Sequence, residues 1–263
     1  MLVLIAGITG LVGIPCARSA FERGHKVRGL ARSIDNLPED VRNQLECFET
    51  ISDYHDIAAM DRATKGVDGI ICAFAALPEM FMETQFLLIR AAERSGVKVY
   101  DDIRGFAHHV AVSSSIKPIY MFTGAIADYS FKRSRCDWDP DTNTFNFHGP
   151  STFPTRYTTA EDIGNYVLEV ITAPNTANGD FSTAREGRIT AKLNCLGSLK
   201  DAEDKLNEGQ AEYGKSGWYN YIRYCYQYHI PARSWDHEPA DVARFPNVKQ
   251  TRLEEFFRRN PDV

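Results

Sequence analysis

This sequence predicts an α/β protein whose core is a doubly wound parallel sheet, and three observations predict it. Short apolar runs recur, the first of them closed by glycine, segments of helical spacing lie between them, and the two kinds alternate regularly through the amino-terminal part of the chain. Leu2-Val3-Leu4-Ile5-Ala6 is a continuous apolar run closed by Gly7, as a strand buried on both faces reads. Residues 12–23 carry helical spacing and stop at Gly24, which suits the left-handed position after a helix end. His25-Lys26-Val27-Arg28-Gly29-Leu30 reads as a second strand, residues 45–48 as a weak third, residues 57–64 as a short helix and residues 69–74 as a strong fourth strand. Pro78 opens a long helix through Arg94 that Gly96 caps, and residues 97–100 make a fifth strand. Beyond Tyr100 the pattern loosens. Residues 103–114 fit a helix, residues 118–122 a further strand, and residues 137–154 a loop with a hairpin-like excursion. Thr158-Thr159-Ala160-Glu161-Asp162 starts a helix to about Ile171, with a Thr cap and acids in its first turn. From Leu199 onward the chain is mostly helical and rich in aromatic residues.

At 263 residues, 43% hydrophobic and 25% charged, the chain can bury a large core and is neither disordered nor collagen-like. The formal net charge is −5 and the Lys and Arg residues are scattered, which disfavours a nucleic-acid or anionic-membrane surface. The longest apolar stretch, residues 69–77, is far shorter than the roughly 20 residues of a spanning helix, and no basic segment precedes the first apolar run. A cytoplasmic protein is expected. The 6 cysteines contain no CxxC pair and the 7 histidines fall in no zinc-ligand spacing, HExxH included, so reduced thiols and no metal are expected.

The chemistry begins at Gly7-Ile8-Thr9-Gly10-Leu11-Val12-Gly13, directly after the first strand and at the mouth of the first helix. Gly7 permits the tight turn, Gly10 removes the Cβ that would block a pyrophosphate, and Gly13 lets the helix lie against the sheet. The free N–H groups of the helix start then face the phosphates. The pattern reads as a dinucleotide-binding turn, with a purely structural turn as the alternative. An NAD-preferring site would place an acid near the end of the second strand. That end reads Arg28-Gly29-Leu30-Ala31-Arg32-Ser33, with Asp35 a little too far along. Arg32 and Ser33 offer a guanidinium and a hydroxyl to a 2′-phosphate, so NADP(H) is the expected cofactor; the bland alternative is that Arg32 is a solvated loop charge.

With GITGLVG at the amino end, VRGLAR after the second strand, KGVDGIICAFA at the fourth and ERSGVKVY at the helix-to-strand junction, the chain resembles the NmrA-like, isoflavone-reductase-like branch of the atypical short-chain dehydrogenase/reductases. SSSIKPIYMFTGAIADYSF, WDPDTNTFNFHG, TTAEDIGNYVLEVITAP, YIRYCYQYHI and RFPNVKQTRLEEFFRRNPDV resemble its fungal secondary-metabolism members. The resemblance spans almost the whole chain. It implies a Rossmann-type NADP-binding domain over residues 1–135 and a mainly substrate-binding lobe over residues 136–263, with residues 158–184 returning to the first domain. It also implies a cleft above the carboxyl ends of the strands. The family holds reductases of aromatic natural products, ring-forming tailoring enzymes and nucleotide-sensing regulators, so membership does not settle the reaction. Departures are equally informative. No Tyr has a Lys four residues later, and Thr50 stands where relatives place an acid after the third strand. Asp101-Asp102-Ile103-Arg104 follows Tyr100 at once, and a second shortening falls near Thr190-Ala191. Natural deletions and segments lacking from this chain both explain the shortenings, and the second is preferred because lid loops beside active sites are long.

The expected cofactor-binding residues are Gly7, Thr9, Gly10, Leu11, Val12, Gly13, Arg32, Ser33, Phe74, Ala75, Phe122, Thr123 and Gly124. Near the exits of the fifth and sixth strands, Asp102, His109 and Lys132 are the candidate catalytic residues. Lys132 also reads as part of a solvated charge run with Arg133 and Arg135. Tyr120, Tyr129, Trp138, Trp218 and Tyr221 are candidates to line an apolar substrate pocket, although Trp218, Tyr221, Cys225 and Tyr228 also match one helical packing face. The expected function is NADPH-dependent oxidoreduction of an aromatic or polycyclic metabolite. Redox-neutral isomerisation or cyclisation in the same pocket, and non-catalytic NADP sensing, are the alternatives. A small-molecule substrate is the expected partner, with no nucleic acid and no membrane, in a monomer or homodimer.

Overall fold

The strands and helices below are those of a computed structural model, which describes residues 1–75, 83–102, 114, 116, 119–132, 137–152, 155–173, 179–183, 185–186, 191–234 and 238–263. In chain order they are β1 (Leu2–Ala6), α1 (Gly13–Glu22), β2 (Lys26–Ala31), α2 (Glu39–Arg42), β3 (Cys47–Thr50), α3 (Ile57–Thr64), β4 (Gly69–Cys72), α4 (Gln85–Arg94), β5 (Val99–Asp102) and β6 (Ile119–Phe122). There follow β7 (Ala125–Ile126), α5 (Ala127–Ser130), β8 (Trp138–Asp139), β9 (Thr144–His148), β10 (Arg156–Thr158), α6 (Ala160–Thr172), β11 (Gly179–Ser182), β12 (Arg185–Glu186), β13 (Lys192–Gly197), α7 (Leu199–Tyr213), α8 (Ile222–His229) and α9 (Leu253–Arg259). The chain divides into two units: residues 1–122, 160–182 and 240–248 form the first, and residues 123–159, 183–239 and 249–263 the second.

Among the described residues, the first unit is a 7-stranded sheet in the order β11-β6-β5-β4-β1-β2-β3, parallel at every pairing. Val3, Leu4 and Ile5 have no exposed surface, because β1 is central and both of its faces are covered. Alternate residues Leu4, Ala6, Ile70, Cys72, Tyr100 and Tyr120 join Met60, Ala63, Leu88 and Ile89 of α3 and α4 in one core layer. α1 and α6 pack together on the opposite face. Strand order reverses at β1, with β2 and β3 on one side and β4 on the other, so the carboxyl ends of β1 and β4 flank a topological switch point.

Two strands sit two residues later than their apolar runs suggest. Gln44 N–H bonds Val41 O at 3.2 Å and Val97 N–H bonds Ala92 O at 3.0 Å, so the helix ends before β3 and β5 consume the residues expected to open them. α4 begins at Gln85 within the described residues, and the expected helix over 103–114 lies almost wholly outside them.

In the second unit, β9 pairs antiparallel with β8, so residues 137–154 do contain a hairpin, and parallel with β13. β10 pairs with β7 and β12. Neither β13 nor β10 was expected from the sequence. Phe131 is fully buried, with ring centroids of Tyr157 at 5.0 Å, Phe257 at 4.9 Å, Trp138 at 6.1 Å and Phe256 at 6.2 Å. α7 opens on a capping box in which the Ser198 hydroxyl accepts from Asp201 N–H and the Asp201 carboxylate accepts from Ser198 N–H. Among the described residues no helix is long and apolar enough to cross a membrane.

Candidate functional site

β1 runs straight into the glycine turn. Gly7 N–H donates to Leu30 O at 2.8 Å and Gly10 N–H donates to Gly7 O at 2.9 Å. Gly7 has φ of +80°, a left-handed conformation that a residue with a Cβ rarely adopts. A Cβ there would lie 2.5 Å from Ala73 O, at the end of β4, and one on Gly13 would lie 2.4 Å from Gly7 O. A Cβ on Gly10 would lie 3.1 Å from Gly7 O. Strand end, turn and helix start therefore meet main chain against main chain. At the mouth of α1, Val12 supplies no side-chain cap and the first turn holds no acidic residue. The positive end of the helix dipole is left without a carboxylate of its own helix, which is the environment a pyrophosphate requires. These residues fit a dinucleotide cofactor.

At the end of β2, Arg32 is exposed and its guanidinium carbon lies 5.6 Å from the centroid of the Tyr54 ring, within cation–π reach. The Ser33 hydroxyl donates to Asp35 Oδ2 at 2.8 Å and accepts from Asp35 N–H at 3.1 Å. A Ser-x-Asp pair is a recognisable turn signal, whereas nothing in the sequence pointed to Tyr54.

The other first-unit candidates divide by burial. Phe74 and Tyr120 put their rings into the core layer, Phe122 is half-buried against it, and Ala75 is exposed. Phe74 can therefore offer a ligand its main chain rather than its ring. Asp102 closes β5 beside Cys72 and Tyr120; its side chain and the whole of His109 lie outside the described residues. Asp101 is buried on the α1 side, where its charge, added to burial, pushes the Cys16 thiol upward.

In the second unit, Thr123 is buried and its carbonyl accepts from the Thr158 hydroxyl at 2.6 Å, while Gly124 has φ of +64°. Tyr129 lies against Tyr226 with centroids 5.9 Å apart, and Lys132 is exposed after α5. Trp218 and Tyr221 meet edge to face at 5.2 Å. They do not share a continuous helix with Cys225 and Tyr228 as the spacing suggested, because Trp218–Asn220 is a separate 3₁₀ turn and α8 begins after Tyr221.

The sequence also concealed a buried polar chain in this unit. The Gln227 amide donates to the Asp137 carboxylate, and burial pushes that carboxyl up to about 6 against the opposing influence of Gln227 and Arg223. His148, fully buried, lies 3.5 Å through Nε2 from Lys205 Nζ. Burial and the Lys205 charge hold its imidazole below its ordinary range. Among the described residues no group of three or more His, Cys, Asp or Glu side chains is placed to hold a metal ion.

The fold is shared with solved structures over nearly the whole chain. Isoflavone reductase matches with a TM-score of 0.73 at 18% identity, over 100% of this chain and 99% of that one. A nucleoside-diphosphate-sugar epimerase from Staphylococcus aureus matches at 0.74 and 19%, over 97% and 99%. The NADPH complex of leucoanthocyanidin reductase from Vitis vinifera matches at 0.74 and 15%, over 98% of each chain. At these identities the likeness is one of fold. No curated protein matches the sequence significantly. A family profile described as NAD(P)H-binding matches residues 7–174, which begins at the first glycine of the turn and runs past the end of α6. The chain belongs to this NAD(P)H-binding family.

Proposed function

We propose that the protein is an NADPH-dependent reductase of an aromatic or polycyclic natural-product intermediate, of the fungal secondary-metabolism type. The observation that carries the reading is the turn between β1 and α1, lined by glycine and free of acidic residues in the helix's first turn, together with the exposed Arg32 at the end of β2. When bound, the cofactor supplies a hydride from its nicotinamide. The chain's own residues bind and orient it. Main-chain N–H groups of Thr9, Leu11 and Val12 hold the pyrophosphate, and Arg32 and Ser33 take the 2′-phosphate, Ser33 by turning its hydroxyl away from Asp35. Thr123 and Gly124 serve the nicotinamide side. For the substrate we assign Tyr129, Trp138, Trp218 and Tyr221; the indole N–H groups of Trp138 and Trp218 are buried and have no acceptor among the described residues, which suits donation to a ligand oxygen. Asp102, His109 and Lys132 are the proposed sources of the proton that accompanies reduction. The names of two neighbours, isoflavone reductase and leucoanthocyanidin reductase with NADPH, support the substrate class and the choice of NADPH.

Dissociation constants for NADPH and NADH test the cofactor half. The parent protein is expected to prefer NADPH by at least about tenfold, or ~1.4 kcal/mol, and Arg32→Ala to erase the preference. Equal affinities in the parent overturn it. Incubation with polyketide or indole-alkaloid precursors, following NADPH absorbance and product mass together, tests the reaction; reduced product with matching NADPH loss is the expected result. A second reading, redox-neutral isomerisation or cyclisation, is left open by the absence of any Tyr with Lys four residues later and is favoured by the epimerase among the neighbours. Product without net NADPH loss selects it.

A further inference from the structure

The cofactor reading places the pyrophosphate at the start of α1, and the structure shows what holds that start in position. On one side Gly13 meets the turn, where a Cβ would lie 2.4 Å from Gly7 O and 2.7 Å from Ile8 Cα. On the other side Gly164, in the first half of α6, meets the first turn of α1. A Cβ on Gly164 would lie 2.8 Å from both C and O of Pro15 and 2.9 Å from Cys16 N. Those are main-chain atoms, which cannot swing aside as a side-chain tip can. Any residue larger than glycine at 164 must therefore push the α1 and α6 backbones apart, three to four residues beyond the phosphate-facing N–H of Val12.

The far half of the same helix pair is joined differently. There the Ser19 hydroxyl donates to Asn165 Oδ1 at 2.9 Å, Arg23 Nη1 reaches the same oxygen at 3.3 Å, and Arg23 Nη2 pairs with Glu169 Oε1 at 3.4 Å. These polar contacts tolerate small shifts, whereas the contact at Gly164 does not.

Resting on the cofactor reading, we infer that Gly164 is a positioning residue for the pyrophosphate: with Gly13 it clamps the first turn of α1 from two sides and so fixes the Leu11 and Val12 N–H groups that lead into it. The role differs from ordinary helix packing in one measurable respect. Displacement of the α1 start acts on the pyrophosphate and leaves the adenosine 2′-phosphate end, bound at Arg32, unaffected.

The test compares Gly164→Ala with Asn165→Ala, which removes the polar half of the same interface. For Gly164→Ala the dissociation constant for NADPH is expected to rise about tenfold, equivalent to ~1.4 kcal/mol, while that for adenosine 2′-monophosphate stays at the parent value. For Asn165→Ala thermal stability falls while both constants are retained. Equal weakening of NADPH and adenosine 2′-monophosphate by Gly164→Ala, or no weakening of either, overturns the clamp. Should Gly164→Ala not fold, amide exchange of the parent protein decides. NADPH is expected to slow exchange in residues 163–167 of α6 as well as at the start of α1, because coupling between ligand and clamp is reciprocal; protection confined to α1 overturns the clamp. Failure of the parent to bind NADPH is distinguishable from all of these, since it overturns the cofactor reading and the clamp with it.

Discussion

The first and second units bury their chains by opposite means. Around the glycine turn, main chain meets main chain: Gly7 against Ala73, Gly13 against Gly7 and Gly164 against Pro15 leave no room for a Cβ. Around Phe131 it is rings that meet, with Trp138, Tyr157, Phe256 and Phe257 filling the space. A surface built from backbone keeps its geometry irrespective of rotamers, which suits a cofactor of fixed shape. A core built from side chains depends on their rotamers and volumes and can be repacked by substitution.

The contrast can be broken in three places. The largest effect is expected from Phe131→Ala, which should cost about 3–5 kcal/mol in a urea titration, because a fully buried ring leaves a cavity behind. Its sharpening arm is affinity: the protein that remains folded should bind NADPH as the parent does, and a large loss would show that the aromatic cluster also shapes the turn. Gly7→Ala should cost about 2–3 kcal/mol, from a left-handed residue acquiring a Cβ against a carbonyl. Here NADPH affinity should fall more steeply than stability, and an unchanged dissociation constant would count against the turn as the cofactor seat.

The smallest effect concerns pH. Folding raises the Asp137 carboxyl from 3.8 to about 6, so the native protein holds that proton more tightly than the unfolded chain does. Its contribution is complete below about pH 4 and is lost as pH rises through 6. His148, held neutral by burial and faced by Lys205 and Arg223, acts in the opposite sense and loses stability on acidification. Asp137→Asn keeps the acceptor for Gln227 but cannot ionise. Its stability relative to the parent should therefore improve by about 1–2 kcal/mol between pH 4 and pH 7 in parallel denaturation series. A difference that does not change with pH would show that Asp137 is hydrated rather than desolvated.

The same contrast explains what the sequence disclosed. Gly7, Gly10 and Gly13 were legible because their spacing is local and, at Gly7 and Gly13, no residue with a Cβ fits. The sheet was legible because β1 and β4 are continuous apolar runs. β13 was not, since five of its six residues are exposed on both faces and show no alternation to read. Phe74 and Tyr120 entered the candidate site because sequence position marks a strand end but not which way its rings turn. Asp137 and His148 meet partners, Gln227 and Lys205, that lie 90 and 57 residues away in the chain, and Gly164 is an ordinary residue of a helix until Pro15 is brought against it. In each case the missing information was a long-range contact, which no local pattern encodes.

Gly164 and the strand that follows it have a consequence for how the protein is made. α6 and β11 belong to the first unit but leave the ribosome only after the lobe segment 123–159. Until they emerge, β6 has an open edge and α1 lacks the helix that seats its first turn. A nascent chain that has reached Phe122 already contains every residue of the glycine turn, yet it lacks the α6 backbone that packs against α1 behind that turn. Completion of the nucleotide-binding unit is thus a late event in synthesis, and premature termination inside the lobe would yield an aggregation-prone sheet rather than a working half.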